Sequence, residues 1–255
     1  MKQKPFVIDY PVLLNDISPD ARMRSWKVFD YLQDAAGAHA NVLGVGLKQL
    51  KESSSLSWVL SRIRVKMEAF PEYGDTLRIT TYPSGFDRLF AYRQFVLSSA
   101  SDGRRFGVAG SAWLTLNPVN FRPVSPAKHF AGLDEWEFEG ETFFQEDTLG
   151  KLPAELCDSE VETVQHISSG QIDFNRHLNN AFYAMCTEDW LGEKINSPVR
   201  IKEIQLNFNS STGFRDDLVC SGKIGENGTF YVEGVQRSTG KNAFQGRGEF
   251  SSLFS

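Results

Sequence analysis

The chain has 255 residues with 41% hydrophobic, 23% charged and 13% aromatic content, which is enough apolar material for a full core and excludes a disordered or low-complexity chain. A formal net charge of −5 argues against broad nucleic-acid binding, which needs a basic excess, and leaves room only for a local basic patch. No apolar run approaches the roughly 18 residues of a spanning helix, and the opening MKQKPFVIDY lacks the apolar stretch of a secretory signal, so a cytoplasmic protein without stable membrane insertion is expected.

The first predicted element is a helix from about Met23 to Leu50, where Trp26, Phe29, Tyr31, Leu32, Ala35, Ala36, Val42 and Leu43 form an apolar face of mostly 3.6 period. From Ser57 to Met67 the period becomes two: Ile63, Val65 and Met67 alternate with Arg62, Arg64 and Lys66, the pattern of a half-buried strand. Strand-like segments LRITTYPSG, RLFAYRQFVLSS and RRFGVAGSAWLTLN follow, separated by turns at Gly74–Asp75 and Asp102–Gly103, so an antiparallel meander follows the helix. Between Asn117 and about Val161, prolines punctuate an acidic run without a sustained period. This reads as a connector with a solvated charged face, its central part 126–160 separating a first domain, 1–125, from a second, 161–255.

The second half repeats the order: a helix over HLNNAFYAMCTEDWL, then IKEIQLNFNSSTGFRDDLVCSG, TFYVEGVQR and NAFQGRGEFSSLF as strands. Val65 and Met67 fall on Leu206 and Phe208, Asp75 on Asp216 and Leu77 on Leu218 at one constant spacing, which makes a duplicated α+β unit the economical reading.

Most catalytic signatures are missing. There is no G-x-S-x-G elbow, P-loop, G-x-G-x-x-G or H-E-x-x-H. His39, His129, His166 and His177 share no ligand spacing with cysteine or clustered carboxylates, so neither a metal nor a cofactor is expected. Cys157, Cys186 and Cys220 lack a CxxC spacing and read as reduced structural thiols. One stretch stands out, SSGQIDFNRHLNNAFYAMCTEDWL. Asp173, Asn175 and His177 alternate as they would on an extended segment, with a helix beginning around Asn179 whose first amides, at Asn179 and Asn180, suit a developing oxyanion. A carboxylate, an amide and an imidazole placed there could activate a water. The alternative is that Asp173 and Asn175 form Asx turns and cap the helix while His177 is an ordinary surface residue.

Here D-F-N-R-H-L-N-N-A-F-Y, Asp173 to Tyr183, matches the motif D-x-N-x-H-x-N-N-x-x-Y, and the chain resembles the acyl-acyl carrier protein thioesterases. The first half is similar to them too, in YLQDAAGAHANVLG, WVLSRIRVKM, DRLFAYRQF and the SAWLTLN strand before NFRP. The resemblance implies two tandem hot-dog domains, each a long helix wrapped by an antiparallel sheet, and hydrolysis of the thioester between a fatty acyl chain and acyl carrier protein, with Asp173, Asn175 and His177 catalytic. It also implies an acyl pocket in the first domain, for which Phe29, Leu32, Trp58 and Val59 are candidates. The acidic carrier calls for a basic docking surface, with Arg62, Arg64, Lys66 and Arg88 as candidates; a homodimer stays open. The family's glutamate-cysteine pair is replaced by Ser211 and Thr212, so three readings stand: Asp173 serves as the base through His177 or water, another carboxylate substitutes, or the protein is a slow or non-catalytic acyl binder. An acyl-CoA thioesterase is the second enzymatic reading. In the first copy the matching stretch NDISPDARM holds no histidine, so one active site is expected.

Overall fold

In the computed structural model, which describes residues 2–53, 56–117, 119–120, 122–126, 130, 137–145, 148–155 and 158–254, the chain packs as two units. Met1–Asn15 joins Tyr31–Gly150 in the first, and Asp16–Asp30 joins Lys151–Ser255 in the second. The segment 16–30, assigned by sequence to the first domain, therefore packs with the second unit, and helix α1 (Ser25–Val42) is shared between them. Among the described residues no helix is long and apolar enough to cross a membrane. His129 and Cys157 lie outside the described residues.

The first unit's sheet consists of β1 (Phe6–Pro11), β2 (Ser57–Met67), β3 (Thr76–Phe86), β4 (Phe90–Ser99) and β5 (Arg105–Leu116), in the antiparallel order β1-β3-β4-β5-β2. A two-residue strand β6 (Pro123–Val124) lies on β5. One face, including Leu77, Ile79, Phe95, Leu97 and Ala109, is buried and shares its side of the sheet with the α1 contact at Arg93 and His39. The helix is shorter than its periodicity predicts. It stops at Val42, Gly44 takes a positive φ of 74° that a left-handed helix terminus favours, and a separate α2 follows (Leu47–Ser53).

The other face of this sheet is covered by the acidic connector, which is packed structure as well as a solvated face. Phe144 and Leu149 are buried against Tyr92, Val108 and Ala112. Gly110 leaves room for Phe144, whose Cβ would stand 2.7 Å from an added methyl group. Gln94 fastens the segment: its Nε2 donates to the Phe144 carbonyl at 2.6 Å, and its Oε1 accepts the amides of Phe143 and Phe144 at 3.1 and 3.2 Å. The described acids of the run, Glu137, Glu139 and Glu141, point to solvent.

The second unit comprises β7 (Asp158–His166), α3 (Asn180–Ile195), β8 (Val199–Phe208), β9 (Asp217–Ile224), β10 (Thr229–Gln236) and β11 (Asn242–Ser252). Its order, β7-β9-β10-β11-β8, repeats the first unit strand for strand. Each unit is a hot-dog of the α+β class: the buried face of α3, with Tyr183, Cys186, Thr187, Trp190 and Leu191, contacts β7, β8 and β9. Cys186 and Cys220 are buried free thiols; the hydrogen bond that the Cys186 thiol makes to Cys220 and burial together push the Cys186 thiol well above its usual range. The strands that the periodicity did not reveal, β1 and β7, are the outermost strand of each sheet.

Candidate active site

The stretch Asp173–His177 is not extended. It is a tight loop between a 3-10 turn, Ser169–Gln171, and helix α3. Arg176 takes a positive φ of 66°, and an isolated antiparallel bridge joins Ile172 to Leu178. The Asp173 amide donates to the His177 carbonyl at 2.9 Å and the Arg176 amide to the Asp173 carbonyl at 3.0 Å. The Asp173 carboxylate organises the turn from inside: Oδ1 accepts the amides of Asn175 at 2.8 Å and His177 at 3.4 Å, and Oδ2 lies 3.5 Å from Asn175 Nδ2. This is the Asx-turn chemistry of a short acceptor side chain. It gathers the three motif side chains on one turn, with Asp173 half-buried and Asn175 and His177 exposed.

The helix start agrees with the motif, and the amides of Asn179 and Ala181 are already donated within the fold. Asn179 is the N-cap, its side chain accepting the Ala181 amide at 2.9 Å, as a capping Asn should. The Asn179 amide itself donates to the Gln171 carbonyl at 3.0 Å. That corrects the expectation that the Asn179 amide offers an oxyanion donor.

The structure brings the substituted strand positions to this loop. The Leu178 amide donates to the Thr212 carbonyl at 2.8 Å. Tyr183, the last residue of the motif, donates its hydroxyl to Thr212 Oγ1 at 3.1 Å and accepts the Thr212 amide at 3.2 Å. Burial raises the Tyr183 pKa, so the phenol stays protonated as a donor. Thr212 is fully buried and Ser211 exposed. Gln236, on β10, donates to the Ser211 carbonyl at 2.7 Å; nothing in the sequence singled it out, since a lone amide on a strand has no signature. Among the described residues Asp173 is the one carboxylate in this hydrogen-bonded cluster.

The same backbone is built a second time. Residues 14–25 repeat the 3-10 turn, the bridge (Ile17 to Met23) and the positive φ (Ala21, 61°). The Ser18 amide donates to the Arg22 carbonyl at 2.8 Å and the Arg24 amide to the Asp16 carbonyl at 2.8 Å, as Asp173 does to His177 and Asn179 to Gln171. Ser18, Asp20 and Arg22 thus occupy the places of Asp173, Asn175 and His177. Here Ser18 and Asp20 hold the buried guanidinium of Arg200, whose Nη2 lies 2.7 Å from both Ser18 Oγ and Asp20 Oδ1.

The remaining candidates separate. Phe29 and Leu32 are buried on α1. A bulge at Ser61 switches the alternation of β2, so Trp58 faces inward, stacks on Phe130 and donates to the Val45 carbonyl at 2.9 Å. Val59 faces the other way and is 37% exposed, which removes it from any pocket beneath α1. Arg62 and Arg64 clamp the connector, donating to the carbonyls of Leu149 at 2.8 Å and Thr148 at 3.4 Å and lying over the rings of Phe90 and Phe144. Lys66 and Arg88 are exposed.

Two family models match the chain in tandem: the acyl-ACP thioesterase N-terminal domain over residues 3–130 and the acyl-ACP thioesterase C-terminal domain over residues 157–252. The chain is 24% identical over 233 residues to a chloroplastic palmitoyl-acyl carrier protein thioesterase of Gossypium hirsutum, covering 85% of this chain and 54% of that one. It is 25% identical over 191 residues to a chloroplastic dodecanoyl-[acyl-carrier-protein] hydrolase of Cinnamomum camphora, covering 71% and 48%. It spans about half the length of the curated relatives it matches. Among solved structures, an acyl-ACP thioesterase from Bacteroides thetaiotaomicron superposes with a TM-score of 0.83 at 19% identity, over 97% of this chain and 98% of that one. The 12:0-ACP thioesterase from Umbellularia californica does so at 0.82 and 19%, over 97% of each; these two likenesses bear on the fold. The N-terminal model covers the helix and sheet of the first copy and the C-terminal model the loop with Asp173, Asn175 and His177, and with both matched in order the chain belongs to the acyl-ACP thioesterase family.

Proposed function

We propose that the protein hydrolyses the thioester of fatty acyl-acyl carrier protein in the cytoplasm and releases the free fatty acid that ends fatty acid synthesis. The observation that carries this reading is the Asp173–His177 turn: one carboxylate shapes it, and its imidazole and carboxamide are left exposed to a substrate. His177 takes a proton from water as the water attacks the thioester carbon, which is general-base work suited to imidazole near neutral pH. Asp173, through the turn, fixes where that imidazole stands and offsets its charge once protonated. The tetrahedral intermediate then collapses, the carbon–sulfur bond breaks, and His177 returns the proton to the departing pantetheine thiolate. The backbone amides of Asp173, Asn175, Arg176, His177, Leu178 and Asn179 are all donated within the fold. In this reading the oxyanion is met by the side-chain amide of Asn175, an exposed donor on the same turn.

Thr212 is not a nucleophile, because its buried hydroxyl is already held by Tyr183. No second carboxylate is needed if Asp173 and His177 work together, so hydrolysis proceeds without the family glutamate. The carrier docks through exposed cations; Arg176 and Arg215, both exposed beside the loop region, join Lys66 and Arg88 as candidates.

Free fatty acid release from acyl-carrier and acyl-CoA substrates of graded chain length tests the reading. Carrier thioesters are expected to turn over faster, with a rate that falls as ionic strength rises. His177→Ala is expected to lose about two to four orders of magnitude. Unchanged hydrolysis in the folded variant rejects the assignment.

A further inference from the structure

The chain segment beside the Asp173 loop is tied down by one side chain. Gln236 closes β10 and is 3% exposed, and a buried carboxamide is tolerated only where its donors and its acceptor are met. They are met here. Its Nε2 donates to the Ser211 carbonyl at 2.7 Å and lies 3.3 Å from Ser210 Oγ and 3.5 Å from Thr212 Oγ1. Its Oε1 accepts the Thr239 hydroxyl at 2.7 Å, while Thr239 Oγ1 accepts the Lys241 amide at 3.2 Å. These partners fix which way round the carboxamide stands.

The segment so held leads to the imidazole. Past the end of β8 the amides of Asn209 and Ser210 share the Ala243 carbonyl, at 2.8 and 3.2 Å, and Ser211 and Thr212 lie beyond the ladder with β11. Side chains take over from the ladder. The peptide between Ser211 and Thr212 gives its carbonyl to Gln236 and its amide to the Tyr183 hydroxyl. The Thr212 carbonyl accepts the amide of Leu178 at 2.8 Å, and Leu178 follows His177 directly. The whole series, from Gln236 through Ser211, Thr212 and Leu178 to His177, lies within the second unit.

The first copy has the same backbone without the tie. Glu68 and Ala69 share the Phe106 carbonyl at 2.7 and 3.0 Å, as Asn209 and Ser210 share that of Ala243. Ser99 stands in the place of Gln236: its amide donates to Arg104 and its carbonyl accepts from Gly103, as those of Gln236 do with Lys241 and Gly240. The Ser99 hydroxyl bonds within its own turn, to Ser101 and Asp102. Pro71 takes the place of Thr212 and Val28 that of Tyr183, which removes the amide and the hydroxyl that meet in the second copy. The copy without the histidine is the copy without the tie.

Resting on the thioesterase reading, we infer that Gln236 is a positioning residue for the hydrolysis, which through Ser211, Thr212 and Leu178 sets where the His177 imidazole stands. A general base must come within about 2.6–3.2 Å of the group whose proton it takes. A displacement of about 1 Å caused by a remote change lowers a rate by about a hundredfold. Binding of the acyl carrier does not depend on that placement, so the loss falls on kcat.

The test uses the intact chain and measures kcat and KM for a dodecanoyl-carrier thioester, together with exchange of the Leu178 amide by NMR in the absence of substrate. Gln236→Leu is expected to lower kcat by about ten- to a hundredfold with KM within about threefold, and to speed Leu178 exchange by about tenfold or more. Ser99→Ala, at the equivalent place in the first copy, is expected to leave kcat and Leu178 exchange as in wild type. If Gln236→Leu does not fold, Thr239→Val, which frees the carboxamide to turn over, is expected to lower kcat by about threefold or more at unchanged KM. Wild-type kcat or wild-type Leu178 exchange in the folded variant, a loss confined to KM, or an equal loss in Ser99→Ala overturns the inference and spares the hydrolase reading. Absence of turnover in the wild-type chain rejects the hydrolase reading instead, and Leu178 exchange then decides by itself whether Gln236 holds the loop.

Discussion

Asp173 combines a structural and a chemical task that two substitutions separate. Its Oδ1 accepts two backbone amides, at 2.8 and 3.4 Å, while Oδ2 faces the Asn175 carboxamide at 3.5 Å. Asp173→Asn keeps an acceptor for both amides, and Asn175 turns its amide over to meet the new NH2 group. The loop survives and the charge that offsets an imidazolium is lost. Asp173→Ala removes the acceptors as well. A net hydrogen bond contributes about 1 kcal/mol. With one bond long and the loop half-exposed, the alanine variant should lose about 1–2 kcal/mol, a fall in Tm of roughly 2–6 °C for a chain of this size. The asparagine variant should stay within about 2 °C. Thiol release from acyl-carrier substrate should drop by about two to four orders of magnitude in both. An asparagine variant that hydrolyses within about threefold of wild type would show that Asp173 shapes the turn and nothing more, and the proposed pairing with His177 would be wrong.

Three further outcomes are expected. Asp20→Ala strands the Arg200 guanidinium, which is 7% exposed; it should cost about 2–4 kcal/mol by chemical denaturation. Adding Arg200→Met should recover at least half of that, and equal losses in single and double variants would contradict the pairing. Burial pushes the Glu188 pKa up to about 7 from 4.5, with Arg200 and Arg24 opposing and Asp189 reinforcing the shift. The folded chain therefore keeps a proton that the unfolded chain releases, and this contribution to stability is full below pH 4.5 and lost as pH rises to about 7, by about 2–3 kcal/mol. His39, held down to about 4 from 6.5, does the opposite, losing stability as pH falls through that window. Glu188→Gln should abolish the decline between pH 4.5 and 7; denaturant midpoints that fall as in wild type would refute it. Gln94→Leu leaves the connector's buried amides unpaired, so chymotryptic cleavage at Phe143 or Phe144 should accelerate by about tenfold or more, and an unchanged rate would show that Gln94 is not the fastener.

Much of the fold was legible because its central strands obey strict alternation. β2 ran from Ser57 to Met67 as its Ile63, Val65 and Met67 pattern indicates, since one face must be apolar wherever a sheet covers a helix. The outermost strands were illegible for the converse reason: β1 is half-exposed on one set of positions and exposed on the other, which leaves no contrast to read. The overlong helix had the same origin. Leu47 and Leu50 continue an apolar rhythm that the positive φ at Gly44 interrupts, and backbone conformation is invisible to a hydropathy pattern. At the site, the residue types were legible and their geometry was not. Alternating polar residues read as an extended run, yet Asp173 folds the chain back on itself by accepting amides from two and four residues ahead. The partners of Arg62 and Arg64 were hidden for a third reason. An arginine on an outer sheet face looks solvated in sequence, and only tertiary structure places Leu149 and Thr148 carbonyls against it.

The two copies of the pre-helix loop bear on how one site was kept and the other closed. Their backbones agree bond for bond, in the amide of Ser18 or Asp173 donating four residues ahead and in the positive φ of Ala21 or Arg176, so the turn alone does not confer chemistry. What differs is where the carboxylate stands. At Asp173 it points into its own turn and leaves the imidazole four residues later uncommitted. At Asp20 it points outward to Arg200, accepting on both oxygens at 2.7 and 2.8 Å, and Ser18, in the place of Asp173, spends its hydroxyl oxygen on the same guanidinium. A buried ion pair of this kind contributes little net stability but is costly to break once formed, so it fixes the geometry of the segment it joins. The first loop is thereby held as a strut for the second unit, and the second loop is the one free to meet a substrate. Restoring Asp, Asn and His at positions 18, 20 and 22 should accordingly yield a less stable protein, through Arg200, before it yields a second active one.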